Sequence, residues 1–536
     1  MGREINIDSI RALEKQIEEG KGDLIKLKRA RNSLLNISTR VPPEVLGYIF
    51  VWNFVMEARQ VYSWRFEGRQ KGSYNFLLVC HHWFEVASRT PELWTSWGIT
   101  LQDWKNFHRR WAIAAPLNLV LDGGKSDPHL LFDEPLQDAV RNRVRQDTIR
   151  RAHLMSTDGG TLTSIISSLT PNNEGCQNDN IESIIWRNIG LTFVDVSDFF
   201  VRSRLSRLRF LDLFGEIQIS SWDYLAPQTV LLTALSLDIS MPSPSSTLPA
   251  SRLFSILNSN PNLQELSLAG AALPKDADRL TFQVQLPHLN TLSLTGEPHH
   301  LLGLLRQVIL PDTLDDMELT GSGSRTEDMP QILAPYLQNH FRRNPRFRDR
   351  LDLSSSIDDD SISISVGVVY DHTPMLEQEP PRVSLTLTDP PLPALERLLV
   401  GLITTIPGEH VVRFDADLGV IPPEELFLMM PNIEALRLSD VDLYEGFLQP
   451  NPNGPHANTK LLPSLESLCL QDPFPVDGDW IHLMTYLTHQ TSDGQIISLE
   501  MFGRIHYMSP ELVSDIKGLV KEFTCCRDWR VGEGEL

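Results

Sequence analysis

From about residue 149 onward the chain returns to one apolar pattern, L-x-x-L-x-L, preceded by stretches of helical spacing. Clear copies are Leu208/Leu211/Leu213, Leu232/Leu235/Leu237, Leu263/Leu266/Leu268, Leu289/Leu292/Leu294, Ile433/Leu436/Leu438 and Leu465/Leu468/Leu470. Looser copies are Ile181/Ile184/Trp186, Leu314/Met317/Leu319 and Leu395/Leu398/Val400. The end of each copy alternates apolar and polar, which predicts a strand with one face in a core. Residues 251–258, 299–308, 422–430 and 480–489 carry helical spacing between the strands. Leu117, Leu119 and Leu121 also alternate and predict an earlier strand, ended by Asp122-Gly123-Gly124. The period breaks at 342–393, where 361–366 and 383–387 alternate. These two strands read either as degenerate repeats or as an inserted hairpin. Ser509-Pro510-Glu511 starts a last helix, expected to run to about Phe523 and to cap a stack whose final unit has no neighbour.

First residues of successive copies, from Ile181 to Leu314, fall 24 to 31 positions apart. Unit and spacing resemble the leucine-rich repeats, which stack strand and helix into a solenoid. The resemblance implies an α/β fold with parallel strands over 146–525. The family places Asn or Cys three positions after the last Leu. Here those positions hold Glu216, Ser240, Ala271, Glu297, Val441 and Pro473, so an irregular array is expected. The Leu side chains enter the core, and the intervening residues face the surface on which such arrays bind. Eight acids (Asp212, Glu265, Asp315, Asp316, Glu318, Glu396, Glu434, Glu466) stand there against three bases (Arg209, Arg397, Arg437). The candidate substrate-binding residues are Asp212, Glu265, Asp316, Glu318, Arg397 and Arg437. Their charge either predicts a basic partner or merely samples an acidic chain.

Ahead of the repeats stands Val41-Pro42-Pro43-Glu44-Val45-Leu46-Gly47-Tyr48-Ile49-Phe50. A proline in a first helical turn loses no hydrogen bond, and Glu44 there complements the helix dipole. Val45, Leu46, Ile49 and Phe50 form an apolar stripe. A second stripe runs through Leu78-Val79-Cys80-His81-His82-Trp83-Phe84 to Ala87, and Pro91-Glu92-Leu93-Trp94 closes the segment. Helices this short are marginal alone, and they carry more apolar surface than so small a unit can hide. That predicts a docking module.

The order of these residues resembles the F-box family, with its Leu-Pro-x-Glu-Ile start, Ile-Phe pair, Leu-Val-Cys-x-x-Trp helix and Pro-x-Leu-Trp end. Two departures stand out: Val41 replaces the usual Leu, and an insertion separates the halves at about 56–74. The resemblance implies docking on a Skp-type adaptor within a cullin-RING (SCF-type) ubiquitin ligase, with the C-terminal repeats holding the substrate. Adaptor contacts would fall among Pro42, Val45, Leu46, Ile49, Phe50, Leu78, Val79, Cys80, Trp83, Leu93 and Trp94. The alternative is a non-ligase binding scaffold that uses the F-box-like module in another assembly.

The expected organisation is therefore a helix at 1–36, an F-box-like domain at 37–100, a linker with a first strand at 101–145, repeats at 146–525 and a tail at 526–536. Within 7–35, Ile10, Leu13, Ile17, Leu24, Leu27 and Leu34 fit a heptad seam interrupted at Gly20 and Arg31. It predicts either self-association as a coiled coil or one amphipathic helix lying on the rest of the chain. The 56–74 insertion reads as a surface loop.

A net charge of −21 argues against a nucleic-acid partner. No apolar run is long enough to span a membrane, and the charged N-terminus lacks the apolar core of a signal peptide. Five cysteines make no disulfide framework, so a reducing compartment, cytoplasm or nucleus, is expected. The chain has no H-E-x-x-H, G-x-S-x-G or G-x-G-x-x-G. Gly124-Lys125-Ser126 lacks the glycine a phosphate loop needs at position 119, where Leu119 stands. His81-His82, His299-His300 and Asp358-Asp359-Asp360 read as surface groups, so no metal, cofactor or catalytic residue is expected.

Overall fold

The computed structural model describes residues 41–61, 79, 81–90, 96–98, 117–122, 149–171, 178–220, 222–225, 231–240, 248–279, 282–312, 314–322, 329–344, 351–358, 361–368, 382–388, 408–417, 424–439, 442–443, 462–475, 480–491, 498–503 and 510–527, with isolated positions at 15–26 and 141. They fall into two compact units, Met1–Val194 with Arg202–Leu205, and Asp195–Val201 with Ser206–Leu536. Among the described residues no helix is long and apolar enough to cross a membrane.

In the first unit helix α1 spans Pro43–Val61 and α2 spans His81–Ser88. The Leu46 N–H donates to the Pro42 carbonyl at 3.0 Å, so the helix ladder starts at the prolines. The expected 56–74 loop begins as helix, since α1 runs on through Val61. Residues 62–74 lie outside the described residues. Strands β1 (Ser96–Gly98), β2 (Leu117–Asp122), β3 (Ile149–Ser156) and β4 (Ser183–Asn188) pair in chain order, all parallel. Parallel pairing thus begins ahead of residue 146 and includes the strand expected at 117–121. Helix α3 (Gly159–Leu169) buries Leu162, Ile165, Ile166 and Leu169. The Asp158 carboxylate caps it by accepting from the Gly160 and Thr161 N–H groups.

Of the 7–35 segment, Lys15, Gly20, Lys21, Asp23, Leu24 and Lys26 are described and helical, with Leu24 exposed. The other seam positions lie outside the described residues.

In the second unit β5 (Phe210–Gly215), β6 (Ala234–Ile239), β7 (Glu265–Gly270), β8 (Thr291–Gly296) and β9 (Asp316–Gly321) again pair in chain order, all parallel. The order then inverts. β10 (Leu351–Asp358), β11 (Ser361–Val368) and β12 (Arg382–Thr388) form an antiparallel meander. Its last strand, β12, lies beside β9, and its first, β10, lies beside β13 (Val411–Asp417). The stretch that broke the period is therefore a meander built into the sheet, with β11 as the reversed strand. Parallel pairing resumes through β14 (Ala435–Ser439), β15 (Ser467–Gln471), β16 (Ser498–Gly503) and β17 (Glu522–Arg527).

Helices α4 (Ala250–Ser259), α5 (Pro298–Gln307), α6 (Met329–Arg343), α7 (Glu424–Met429), α8 (Ile481–Thr491) and α9 (Pro510–Leu519) lie between the strands. The last helix is shorter than expected, and the chain after it adds β17 to the sheet.

The pattern residues make the core: Leu211, Leu213, Leu235, Leu237, Leu266, Leu268, Leu292, Leu294, Leu436, Leu438, Leu468 and Leu470 are all buried. One turn recurs ahead of the strands. The N–H of the first pattern residue donates to the carbonyl three positions back, as in Leu263 to Asn260, Leu289 to Leu286, Ile433 to Met430 and Leu465 to Leu462. Buried Asn260 adds side-chain bonds at this turn. Its Nδ2 donates to the Ile256 carbonyl at 2.7 Å, and its Oδ1 accepts from Leu232 N–H at 2.8 Å. An asparagine here ties one repeat to the one before, although the family's usual asparagine position is filled otherwise.

Candidate functional site

Helix α1 carries apolar residues around more than half its girth, and the structure divides them. Leu46 and Phe50 turn inward and are buried. The Phe50 ring packs on Trp83 of α2 at 5.0 Å. Gly47 lets the helix close on Thr90, where a Cβ would come within 2.7 Å of Oγ1. Val86 and Ala87 complete the buried set on α2.

The opposite side of α1 faces solvent. Val45, Tyr48, Ile49 and Trp52 are all exposed, Tyr48 by 69% and Trp52 by 55%. At about 100° per residue these four fall within one arc of about 100°. Val79 and Phe84 are exposed as well.

Among the residues expected to contact an adaptor, Pro42, Val45, Ile49 and Val79 are exposed, and Trp83 is half-buried. Leu46 and Phe50 are interior. Leu78, Cys80, Leu93 and Trp94 lie outside the described residues. Tyr48 and Trp52 were not in that set. Their signal was present in the sequence, at three and seven positions from Val45 on the same helical face.

The strands of the second unit present a second surface. Residues between the buried leucines point away from the core, and parallel register aligns them from strand to strand. One row runs Asp212, Ser236, Ser267, Ser293, Glu318. The row beside it runs Ala234, Glu265, Thr291, Asp316. Ser293 Oγ donates to Glu318 Oε2 at 3.2 Å. Outward positions of β5 to β9 hold Asp212, Asp238, Glu265, Asp316 and Glu318 and no Lys or Arg. Asp238 follows Leu237, one alternation past the pattern, and so escaped the sequence reading. Burial, and then the Asp212 carboxylate, raise its pKa above the ordinary aspartate value.

Beyond the meander, acids and bases pair. Arg413 Nη1 lies 4.0 Å from Asp352 Oδ2, and Arg437 Nη1 lies 3.7 Å from Asp415 Oδ2. Arg437 also donates to Gln471 Oε1. Burial raises the Asp352 pKa, opposed by Arg413 and aided by Asp415. Cys469 neighbours Arg437 across the ladder, and burial pushes its thiol up to about 11, so it is not a ready nucleophile. Of the expected substrate residues, Glu265 and Glu318 are exposed, Asp316 is half-buried, and Asp212 is buried on the same face. Arg437 is exposed but paired, and Arg397 lies outside the described residues.

In the first unit the outward positions of β3 and β4 carry Arg151, His153 and Arg187. His153 bonds Ser183 Oγ at 2.9 Å, and burial, then Arg151 and Arg187, lower its pKa to about 3.

Among the described residues, one group has metal-ligand composition and convergence, Glu297 with His299 and His300 at the start of α5. A scan of protein-family models finds none that matches the chain, and a search of curated proteins finds no match either.

Proposed function

We propose that the chain is the substrate-recognition subunit of an SCF-type ubiquitin ligase, acting in the cytoplasm or nucleus. Helix α1 docks on a Skp-type adaptor, and the strand face of the second unit holds a basic protein target. The subunit itself performs no bond chemistry. It brings target lysines to a ubiquitin-charged enzyme, raising their effective concentration.

The observation that carries this reading is the exposed Val45–Tyr48–Ile49–Trp52 arc on a helix whose other side is already packed. Covering each large apolar side chain is worth about 1.5–3 kcal/mol. Four of them offset much of the cost of association. A helix pair held by its own small core, with a second apolar face outside, is suited to docking on another protein.

The test is affinity purification of the full chain beside an Ile49→Asp/Trp52→Asp variant. The wild type should carry a Skp-type adaptor and a cullin, and the variant neither. A wild type that brings down other proteins but no adaptor would make it a scaffold outside the ligase. Adaptor retained by the variant would move the docking face elsewhere.

A further inference from the structure

Glu297, His299 and His300 occupy the turn where β8 hands over to α5. One carboxylate oxygen and one nitrogen from each imidazole all lie within 4.8 Å of one another. Glu297 Oε2 is 3.3 Å from His299 Nε2 and 3.9 Å from His300 Nδ1. A zinc ion bound at about 2.0–2.1 Å in tetrahedral geometry sets its ligand atoms about 3.3 Å apart. Of the three edges of such a site, Glu297–His299 is already at that length, Glu297–His300 is 3.9 Å, and the His299–His300 edge is within 4.8 Å, so the side chains would have to draw in on binding.

The backbone explains the convergence. Glu297 is the N-cap residue, and its carbonyl accepts from the His300 and Leu301 N–H groups at 3.0 and 3.1 Å. Its carboxylate makes no capping bond to the helix. It turns toward the imidazoles instead, while Pro298 at the first helical position holds φ for the turn. The two rings lie 3.9 Å apart, centre to centre. His300 is largely enclosed, with its side chain 13% exposed, whereas that of His299 is 57% exposed. Burial and His299 hold the His300 pKa below its usual value. Lys275 acts the same way, while Glu297 and Asp278 oppose it.

A simple His–Glu ion pair accounts less well for the arrangement. A His299–Glu297 contact engages only one imidazole, whereas the second ring lies 3.9 Å from the first and its Nδ1 is 3.9 Å from the same carboxylate. A divalent cation satisfies both rings and the carboxylate together. Two imidazoles and one carboxylate suit zinc and copper better than magnesium or calcium.

We propose that Glu297, His299 and His300 form a surface site for a divalent transition-metal ion of the zinc type, with the remaining coordination position left to water. The site would clamp the β8–α5 turn and does not depend on the ligase reading.

The experiment uses the full chain, stripped with a chelator and titrated with Zn²⁺ by calorimetry, with Co²⁺ absorption as a spectroscopic reporter. His299→Ala and Glu297→Gln alter solvent-accessible side chains, and an unchanged metal-free melting curve checks their fold. Because the chain has 15 histidines, the readout is the difference between wild type and variants. Each variant should bind one equivalent fewer, or bind that equivalent at least about tenfold more weakly, and should lose the matching Co²⁺ band. Wild type that takes up no zinc at micromolar concentration overturns the proposal. So do variants that match the wild type in stoichiometry and affinity.

Discussion

The Phe50 ring of α1 lies 5.0 Å from the Trp83 ring of α2, tilted by 57°. This contact separates two sets of residues that the sequence places on one continuous apolar surface. Phe50 and Leu46 hold the helix pair together, and Val45, Tyr48, Ile49 and Trp52 remain outside. The two sets therefore make separable predictions, the buried one for stability and the exposed one for the proposed docking.

Leu46→Ala should cost about 2–5 kcal/mol and Phe50→Ala about 3–5 kcal/mol of local stability, the range for core truncations. Ile49→Asp and Trp52→Asp should leave that stability unchanged. Hydrogen exchange over residues 43–61 and 81–88 reads the difference directly. Rapid exchange in Leu46→Ala, with wild-type exchange in Ile49→Asp, is the expected pair of results. Equal loss of protection in both would mean that Ile49 also belongs to the core.

Asn260 makes a second separable prediction. Its Oδ1 accepts from the buried Leu232 N–H, so Asn260→Ala leaves that donor without its side-chain partner. An orphaned buried donor costs about 1–3 kcal/mol. Neighbouring Asn262 is exposed, and Asn262→Ala should stay within about 0.5 kcal/mol of wild type. Urea denaturation of the two variants measures both, and similar midpoints would show that Asn260 does not couple the repeats.

The repeats were legible because the physics of a strand in a core repeats along the chain. Leu266 and Leu268 alternate with polar neighbours, Leu263 sits in the turn before them, and the structure buries all three. Helix α5 lies within one residue of its expected bounds at each end. Three features depended on choices that pattern does not carry. The pairing of β12 with β9, and of β10 with β13, is a long-range decision among strands with similar alternation. The Glu522–Arg527 strand lacks the L-x-x-L-x-L pattern, and it begins where the last helix was expected to end. On α1 the stripe showed that residues were apolar, but only the position of α2 decides which of them Trp83 covers. Leu46 and Ile49 look alike in sequence and differ in burial.

His153 should make stability depend on pH. In the unfolded chain its imidazole takes up a proton near 6.5, but in the folded chain only near 3. Between those values the unfolded state binds more protons, so the stabilising contribution is complete above 6.5 and falls as pH drops toward 3. His153→Phe keeps a ring in the site and removes the titration. Its melting temperature should fall less steeply than that of wild type between pH 6.5 and 4. Parallel curves would mean that His153 becomes protonated in the fold without penalty.

The outward positions of β5 to β9 should select basic ligands more strongly than those of β13 to β15. Both halves carry aspartate or glutamate, so the acids alone do not distinguish them. The bases do: Arg437 lies 3.7 Å from Asp415, whereas the outward positions of β5 to β9, which include Glu265, Asp316 and Glu318, hold no Lys or Arg. Neighbouring strands lie about 4.8 Å apart, so Glu265 and Asp316, two strands apart, act on a ligand within roughly one Debye length at physiological salt. A short lysine-rich peptide, followed by fluorescence anisotropy, is the appropriate probe. The Glu265→Gln/Asp316→Asn/Glu318→Gln variant should weaken its binding about tenfold or more and flatten its salt dependence, since the attraction lost is Coulombic. Asp415→Asn should do less, because it removes a carboxylate already answered by Arg437 and leaves that guanidinium to repel the peptide only locally. Should Asp415→Asn weaken binding as much as the triple variant, the ligand sits on β13 to β15, and the acid surplus on β5 to β9 reflects only the −21 charge of the chain.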